Sequence, residues 1–571
     1  MTMPDATDSP LGALTVLRER VTTLRFPLEV DGVLRARKLR KQVAAQLDDY
    51  VLPRMARMDA PLLAVVGGST GAGKSTLVNA IVGRPVTETG VLRPTTRSPL
   101  LAYHPADGEW FTTGRILPEL SRITGDGKVG PRALRLVSDE AMPQGLAVLD
   151  TPDIDSVVTE NRELAAQLLK AADLWIFVTT AARYADAVPW GFLYDAAQRS
   201  AAVSVVLDRV PPEAVDEVRQ HLAAMLDNHG LGDSPMFVIE ETILDAAGLL
   251  PYGQIEPIRA WLTSLAADAV ARNEVVRRTL DGAVGDVLRR TPELAAAADT
   301  QATMADQLRA AVMSAYDEAL SSIDKASRDG SMLRGEVLAR WQDFVGTGEF
   351  FRSLEERVGR VRDRVVAFLT AKPKPAAAVE EAIENGLQAL LVAEADRAAE
   401  VADGRWRADP AGRALLGKDD LARASTDISE RAAEQVRQWQ SAVLELVRTE
   451  GQDKRFTARV LSFGVNGLGV ALMIVVFAST GGLTGAEVGV ASGTAVVGQK
   501  LLEAVFGDQA VRRLADSARK DLRERAEALL NTEAARFNDR IDVLAVDAGA
   551  SAALREAIRD VEFARQREGG T

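Results

Sequence analysis

Residues Leu62 to Gly83 read LLAVVGGSTGAGKSTLVNAIVG, and this stretch decides the fold. The apolar run 62–66 reads as a buried strand. A glycine-rich turn follows, and Leu77, Val78 and Ile81 give the next segment a helical apolar face. Between them lies G-x-x-x-x-G-K-[ST], spelled Gly68, Ser69, Thr70, Gly71, Ala72, Gly73, Lys74, Ser75. Its glycines let backbone N–H groups turn toward an anion without a Cβ in the way, and the following helix adds partial positive charge. The pattern is a phosphate-binding loop in strand–turn–helix context. Residues Gly68 to Thr76 surround a nucleotide's phosphates, Lys74 reaches the β- and γ-phosphates, and the Ser75 hydroxyl takes a Mg²⁺ position.

The remaining composition narrows the class. A chain of 571 residues predicts several domains rather than one core. A net charge of −13 argues against a nucleic-acid binder, which needs a basic surface. The absence of cysteine excludes disulfides, thiolate catalysis and cysteine–zinc sites. His104, His221 and His229 show no metal-ligand spacing. The start, MTMPDATDSP, lacks the basic and apolar regions of a secretory signal.

In chain order, residues 11–24 and 33–58 read as helices, the second with Leu34, Leu39, Val43, Leu47 and Val51 at near-helical spacing. From 61 to about 252, strands alternate with helices, the signature of a parallel α/β sheet. Strands are expected at 62–66, 100–103, 133–137, 146–149, 174–178, 203–207 and 236–239, with helices at 74–82, 160–171, 185–198 and 213–228. Beyond residue 256 helical patterns dominate. One seam runs through Leu354, Val358, Val361, Val365 and Phe368, another through Ile428, Ala432, Val436, Trp439, Val443 and Leu446, and both suit long packed or coiled-coil-like helices.

A phosphate loop needs an acidic metal partner at the end of a neighbouring strand. The run Leu146-Ala147-Val148-Leu149-Asp150-Thr151-Pro152 supplies Asp150. A switch threonine belongs between the two motifs, and Arg93-Pro94-Thr95-Thr96-Arg97-Ser98-Pro99 sits there. Thr96 can ligate Mg²⁺ while its N–H reports the γ-phosphate. An ABC-type ATPase would show an L-S-G-G-Q-like signature and a glutamate directly after Asp150. No such signature occurs, and Thr151 follows Asp150.

The strings KSTLVNAIVG (74–83), TRSP (96–99) and LDTP (149–152) resemble the translation-factor-related GTPases. A helical segment before that domain, a long helical region after it and an apolar insertion near the end resemble the bacterial dynamin-like proteins. The motif resemblance covers roughly 61–252, and the rest is architectural. It implies GTP and Mg²⁺ as ligands, with Lys74 on the phosphates, Thr96 in the switch, and Ser75, Thr96 and Asp150 around the metal. It also implies a homo-dimer or a hetero-oligomer with a related GTPase. Three departures stand out. Asp153 replaces the glycine three residues after Asp150. Gly71 stands where eukaryotic dynamins place a serine that assists a catalytic cation. The base-reading pattern [NT]-K-x-D becomes Asp208-Arg209-Val210-Pro211. Arg209 can still stack along a base, but the guanine-reading carboxylate is missing unless Asp208 or Glu213 substitutes.

Residues 460–486 carry no charge across 27 positions, and a second uncharged run spans 488–499. The first run is long enough to span a bilayer, the glycines allow close helix approach, and basic residues flank both runs. The alternative is a hairpin buried in a soluble bundle. The organisation expected is a helical neck segment (1–60), an α/β phosphate-loop GTPase domain with helices on both faces of a parallel sheet (61–255), an all-α stalk (256–459), a hydrophobic membrane hairpin (460–499) and return helices (500–571). The function expected is a dynamin-like GTPase that moves its stalk and remodels or organises membrane at the cytoplasmic face of a bacterial cell membrane. Its partners are GTP, a lipid bilayer and no nucleic acid. A membrane-anchored nucleotide switch with little turnover and a soluble phosphate-loop ATPase are the competing readings.

Overall fold

The computed structural model describes residues 9–87, 98–113, 116–117, 120–125, 133–156, 158–198, 201–329, 374–450 and 508–569. Thr96, the seam at 354–368 and the apolar stretch 460–499 lie outside the described residues.

The helices before the sheet are α1 (Pro10–Thr23), α2 (Val33–Gln46) and α3 (Leu52–Ala56). The α/β part runs β1 (Leu62–Gly68), α4 (Lys74–Val82), β2 (Leu100–Tyr103), α5 (Gly108–Thr112), β3 (Ser121–Thr124), β4 (Ala133–Ser138), β5 (Leu146–Asp150) and α6 (Thr159–Lys170). It continues through β6 (Leu174–Thr180), α7 (Ala187–Gln198), β7 (Ala202–Val210), α8 (Val215–Asn228), β8 (Met236–Glu240) and α9 (Tyr252–Ala267). Then come α10 (Ala269–Asp329), α11 (Lys374–Ala408), α12 (Pro410–Leu416), α13 (Ile428–Glu450), α14 (Asp508–Asp542) and α15 (Ala550–Gly569). They divide into two compact units: Met1–Phe26, Gly32–Asp299 and Ala548–Thr571 form the first, Pro27–Asp31 and Thr300–Asp547 the second.

In the first unit the strands form one eight-stranded sheet of order β3-β4-β2-β5-β1-β6-β7-β8. Only the β2–β5 pairing is antiparallel. β1, β5 and β6 are buried at every position, as strands covered on both faces must be. Alternate residues serve opposite faces. Leu63 and Val65 join the core under α6 and α7, while Leu62, Ala64 and Val66 join the core under α4 and α9. Around the sheet's base, α15 lies along α1, and the start of α10 bonds α2 through Arg290–Gln42 at 2.6 Å.

The helix expected over 33–58 is interrupted. A π-helical turn at Leu47–Val51 separates α2 from α3. Pro53 has no N–H to offer the preceding turn, so the ladder changes spacing there. Leu34, expected on the buried stripe, is 73% exposed, and Val33 and Ala36 take that face. β7 runs on to Val210, past the expected end at 207, and β3 and α5 were not anticipated.

The described helices of the second unit share a hydrophobic core. The seam Ile428, Ala432, Val436, Trp439 and Val443 packs against α14 residues Leu514, Ala518, Leu522 and Leu529. Trp439 is satisfied as well as buried, its Nε1 donating to the Ala518 carbonyl at 2.8 Å. Gln301 clasps Leu28 through two backbone hydrogen bonds of 2.8 and 2.9 Å, binding the short segment Pro27–Asp31 to this unit. Among the described residues no helix is long and apolar enough to cross a membrane.

Candidate functional site

β1 lies within the sheet between β5 and β6, and its C-terminal end feeds the glycine loop 68–73. Two glycines there admit no side chain. A Cβ on Gly68 would lie 2.1 Å from the Val178 carbonyl oxygen of β6. Gly73 has φ +94°, and its Cβ would lie 2.3 Å from Asp208 Oδ2. The loop is therefore seated against β6 on one side and against the end of β7 on the other.

Lys74 opens α4 and is buried. Its Nζ donates to the carbonyls of Gly68 and Ser69, both at 3.0 Å, and forms an ion pair with Asp153. Ser75 Oγ donates to Asp150 Oδ2 at 2.8 Å. The other Asp150 oxygen is buried without a hydrogen-bond partner, and Ser69 Oγ is in the same condition. Burial pushes the Asp150 carboxyl up to about 6, against the Ser75 hydrogen bond and the charge of Lys74. A hydroxyl beside an orphaned carboxylate oxygen is a hard-oxygen set that fits Mg²⁺, which binds through one or two protein oxygens, water and substrate phosphates. Among the described residues no group of three or more His, Asp or Glu side chains gathers for a metal.

Two residues beyond Asp153 the chain touches the loop again. Asp155 Oδ1 accepts from the Thr70 N–H at 2.6 Å and from its hydroxyl at 2.7 Å. Its Oδ2 pairs with Arg183 Nη2 at 3.0 Å, while Arg183 Nη1 donates to the Thr70 carbonyl at 3.0 Å and Nε to Asp186 at 2.8 Å. Burial opposes the charge on Asp155, but the Thr70 bonds and the Arg183 guanidinium outweigh it and hold the carboxyl below its ordinary range. Arg183 itself is raised, by the Asp186 hydrogen bond first and Asp155 after it.

On the opposite side, Asp208 packs against Gly73, and burial pushes its carboxyl up to about 6 in spite of neighbouring Arg209. Arg209 adopts φ +54°, a left-handed conformation uncommon for a side-chain-bearing residue. From there its guanidinium bonds the Gly71 carbonyl. Pro211 follows on the turn after β7, and Glu213 is exposed. Gly68 to Thr76, Asp150, Asp208 and Arg209 thus meet at the C-terminal ends of β1, β5 and β7. Asn79 braces the chain that leaves for the 88–97 segment, its Oδ1 accepting from Val86 and Thr87 N–H groups at 2.8 and 2.9 Å.

Sequence reasoning singled out Asp153 as a departure without finding its partner, and missed Asp155 and Arg183. A signal for Arg183 exists: it is the first basic residue after strand 174–180, whose neighbour is β1. Asp173 was also missed. At the foot of β6 it accepts from the Leu63 N–H at 2.8 Å and pairs with buried Arg54 at 3.0 Å, tying β1 to α3.

No family model matches the chain. A probable transmembrane GTPase of Arabidopsis thaliana, FZO-like and chloroplastic, is 25% identical over 162 residues. The matched stretch is 28% of this chain and spans only 16% of that relative's length. Bacterial dynamins are among the solved structures that match. Two come from an oligomerised bacterial dynamin pair described as a mechanism for long-range sensing and tethering of membranes. The first is 11% identical, covering 99% of this chain and 95% of its own, with TM-score 0.41. The second is 10% identical over 98% and 96%, with TM-score 0.40. LeoA, a bacterial dynamin GTPase from ETEC, is 11% identical over 98% and 97%, with TM-score 0.24.

Proposed function

We propose that the chain is a dynamin-like GTPase that binds GTP with Mg²⁺, hydrolyses it, and couples the cycle to movement of its helical parts. The observation that carries this reading is the Lys74–Ser75–Asp150 constellation: a buried ammonium at a glycine loop, with a hydroxyl bonded to a carboxylate whose second oxygen has no partner. Such a set suits a phosphate chain and a hard divalent cation. Ser75, Asp150 and, from the sequence, Thr96 would hold Mg²⁺, which neutralises charge developing on the phosphates. Lys74 would bind the β- and γ-phosphates, and Arg209 would lie along the base. GTP rather than ATP is favoured by the resemblance of the motifs at 74–83 and 149–152 to GTPases.

Membrane work rests on the composition of 460–499, whose uncharged length suits a bilayer hairpin. The bacterial cell membrane's cytoplasmic face and self-association, or pairing with a related GTPase, complete the proposal. Competition of GTP and ATP for the full chain, with Lys74→Ala as control, tests the first part. Loss of binding in Lys74→Ala supports the phosphate-loop assignment, and equal affinity in that variant removes it. Stronger binding of ATP than of GTP removes the guanine reading.

A further inference from the structure

Three cations reach the phosphate loop. Lys74 enters from α4, Arg209 bonds Gly71 from the end of β7, and Arg183 bonds Thr70 from the turn after β6. The first two serve phosphates and base in the reading above. Arg183 has no assigned part.

We propose that Arg183 is a catalytic residue, its guanidinium moving onto the γ-phosphoryl group during triphosphate hydrolysis; this rests on the nucleotide-hydrolase reading of the site. Its position is the first support. Thr70 is the third residue of the loop, and Asp155, which also grips Thr70, lies two residues beyond the Asp153 that pairs with Lys74. Arg183 is thus tied to the segment that touches the lysine expected to hold the γ-phosphate.

The second support is how the arginine is held. Asp155, Asp186 and the Thr70 carbonyl engage Nη2, Nε and Nη1, yet the side chain is 40% exposed and stands on a turn. An arriving γ-phosphate competes with Asp153 for Lys74. When Asp153 leaves, its neighbour Asp155 is drawn with it, and the Nη2 edge of Arg183 is released beside the loop. One event would therefore remove a carboxylate and supply a guanidinium where negative charge grows.

The third support is chemical need. A water oxygen bonds to the γ-phosphorus as the bond from that phosphorus to the β–γ bridging oxygen breaks. The electron pair stays on the diphosphate, and the water's proton passes to a phosphate oxygen. Charge builds on the bridging and equatorial oxygens, and a guanidinium there accelerates the step strongly. Ile154 lies between Asp153 and Asp155 and offers no polar side chain to orient water.

The test uses the full chain and its Arg183→Ala and Arg183→Lys variants. It measures the affinity of a non-hydrolysable GTP analogue, single-turnover hydrolysis, and binding of GDP with aluminium fluoride. For Arg183→Ala, hydrolysis should slow roughly a thousandfold and the fluoride complex should be lost, while analogue affinity stays within about threefold. Arg183→Lys, which keeps the charge but not the fork, should recover part of the rate. Hydrolysis by Arg183→Ala within about threefold of the parent overturns the proposal. So does a loss of analogue affinity that parallels the loss of rate, which marks a loop tether. If the parent chain itself binds no triphosphate, the hydrolase reading of the site fails, and the proposal falls with it.

Discussion

Asp153→Asn should make the protein bind triphosphate more tightly, although it removes an ion pair. Lys74 and Asp153 are 4% and 16% exposed in their side chains, so water screens their pairing poorly. A unit pair about 4 Å apart at an effective dielectric of about 20 interacts by roughly 4 kcal/mol. Not all of this is recovered, because Lys74 keeps its bonds to the Gly68 and Ser69 carbonyls. A hydrogen bond to a charged group is worth about 1.5–3 kcal/mol net, and we take that as the part a γ-phosphate must now displace. Removing it should tighten triphosphate binding about ten- to a hundredfold. Diphosphate, with no γ-phosphate to contest the aspartate, should gain less. Titration calorimetry with a non-hydrolysable GTP analogue and with GDP measures both. The nucleotide-free variant should melt lower than the parent, and its melting temperature should rise more when the analogue is added. Unchanged or weaker analogue binding by a variant that still folds would refute the competition between Asp153 and the γ-phosphate.

Other perturbations probe the rest of the site. Ser75→Ala should reduce Mg²⁺-dependent triphosphate affinity while nucleotide binding in EDTA changes little; equal losses in both media would detach Ser75 from the metal. Asp208→Asn should stabilise the fold at pH 7 by up to about 3 kcal/mol, since a carboxyl raised from 3.8 to about 6 costs the folded state that much once ionised. The sign follows from the raised value. The folded state binds the extra proton between pH 4 and 6, so the penalty is absent below pH 4, grows through that window and is complete above 6. The gain should accordingly vanish in urea melts near pH 4, and a pH-independent gain would contradict the buried-charge account. Replacing 460–499 by a short Gly/Ser linker should abolish flotation with liposomes. A parent chain that never floats, in any nucleotide state, would leave the buried-hairpin alternative standing.

The parallel core and the strand, glycine turn and helix at 62–82 were legible because each rests on local signals. The run 62–66 is apolar without alternation, Gly68 and Gly73 flank a turn, and Leu77, Val78 and Ile81 recur at helical spacing. The buried face of α13 was legible for the same reason, a regular seam ending in Val443 and Leu446. Leu34 misled because an apolar residue at helical spacing does not reveal which edge of the stripe its neighbours cover. The end of β7 was misplaced because Asp208 and Arg209 look like turn residues. They lie within the strand where its pairing with β8 shifts, between Leu207 and Val210. Asp155 and Asp173 were invisible for a different reason. Their partners lie 85 and 110 residues away, and no spacing rule connects them.

Those distant partners share one physical logic. A glycine loop aimed at a phosphate chain concentrates positive charge, and three cations reach this loop. With no anion present such a cluster repels itself in a poorly solvated place. The chain answers with its own carboxylates. Asp153 closes Lys74, Asp155 and Asp186 close Arg183, and Asp208 lies 3.6 Å from Arg209. On the proposed reading the γ-phosphate would take the place of Asp153 at Lys74, so nucleotide entry would exchange one anion for another. An exchange yields less net affinity than capture by an unpaired lysine, because each broken pair is subtracted from the new contact. It would also yield motion, because Asp153 and Asp155 belong to the loop after β5. A glycine at position 153 would bind the phosphates harder and move nothing by electrostatic displacement. On the proposed reading an aspartate there would give up affinity and in return make arrival of the γ-phosphate a mechanical event.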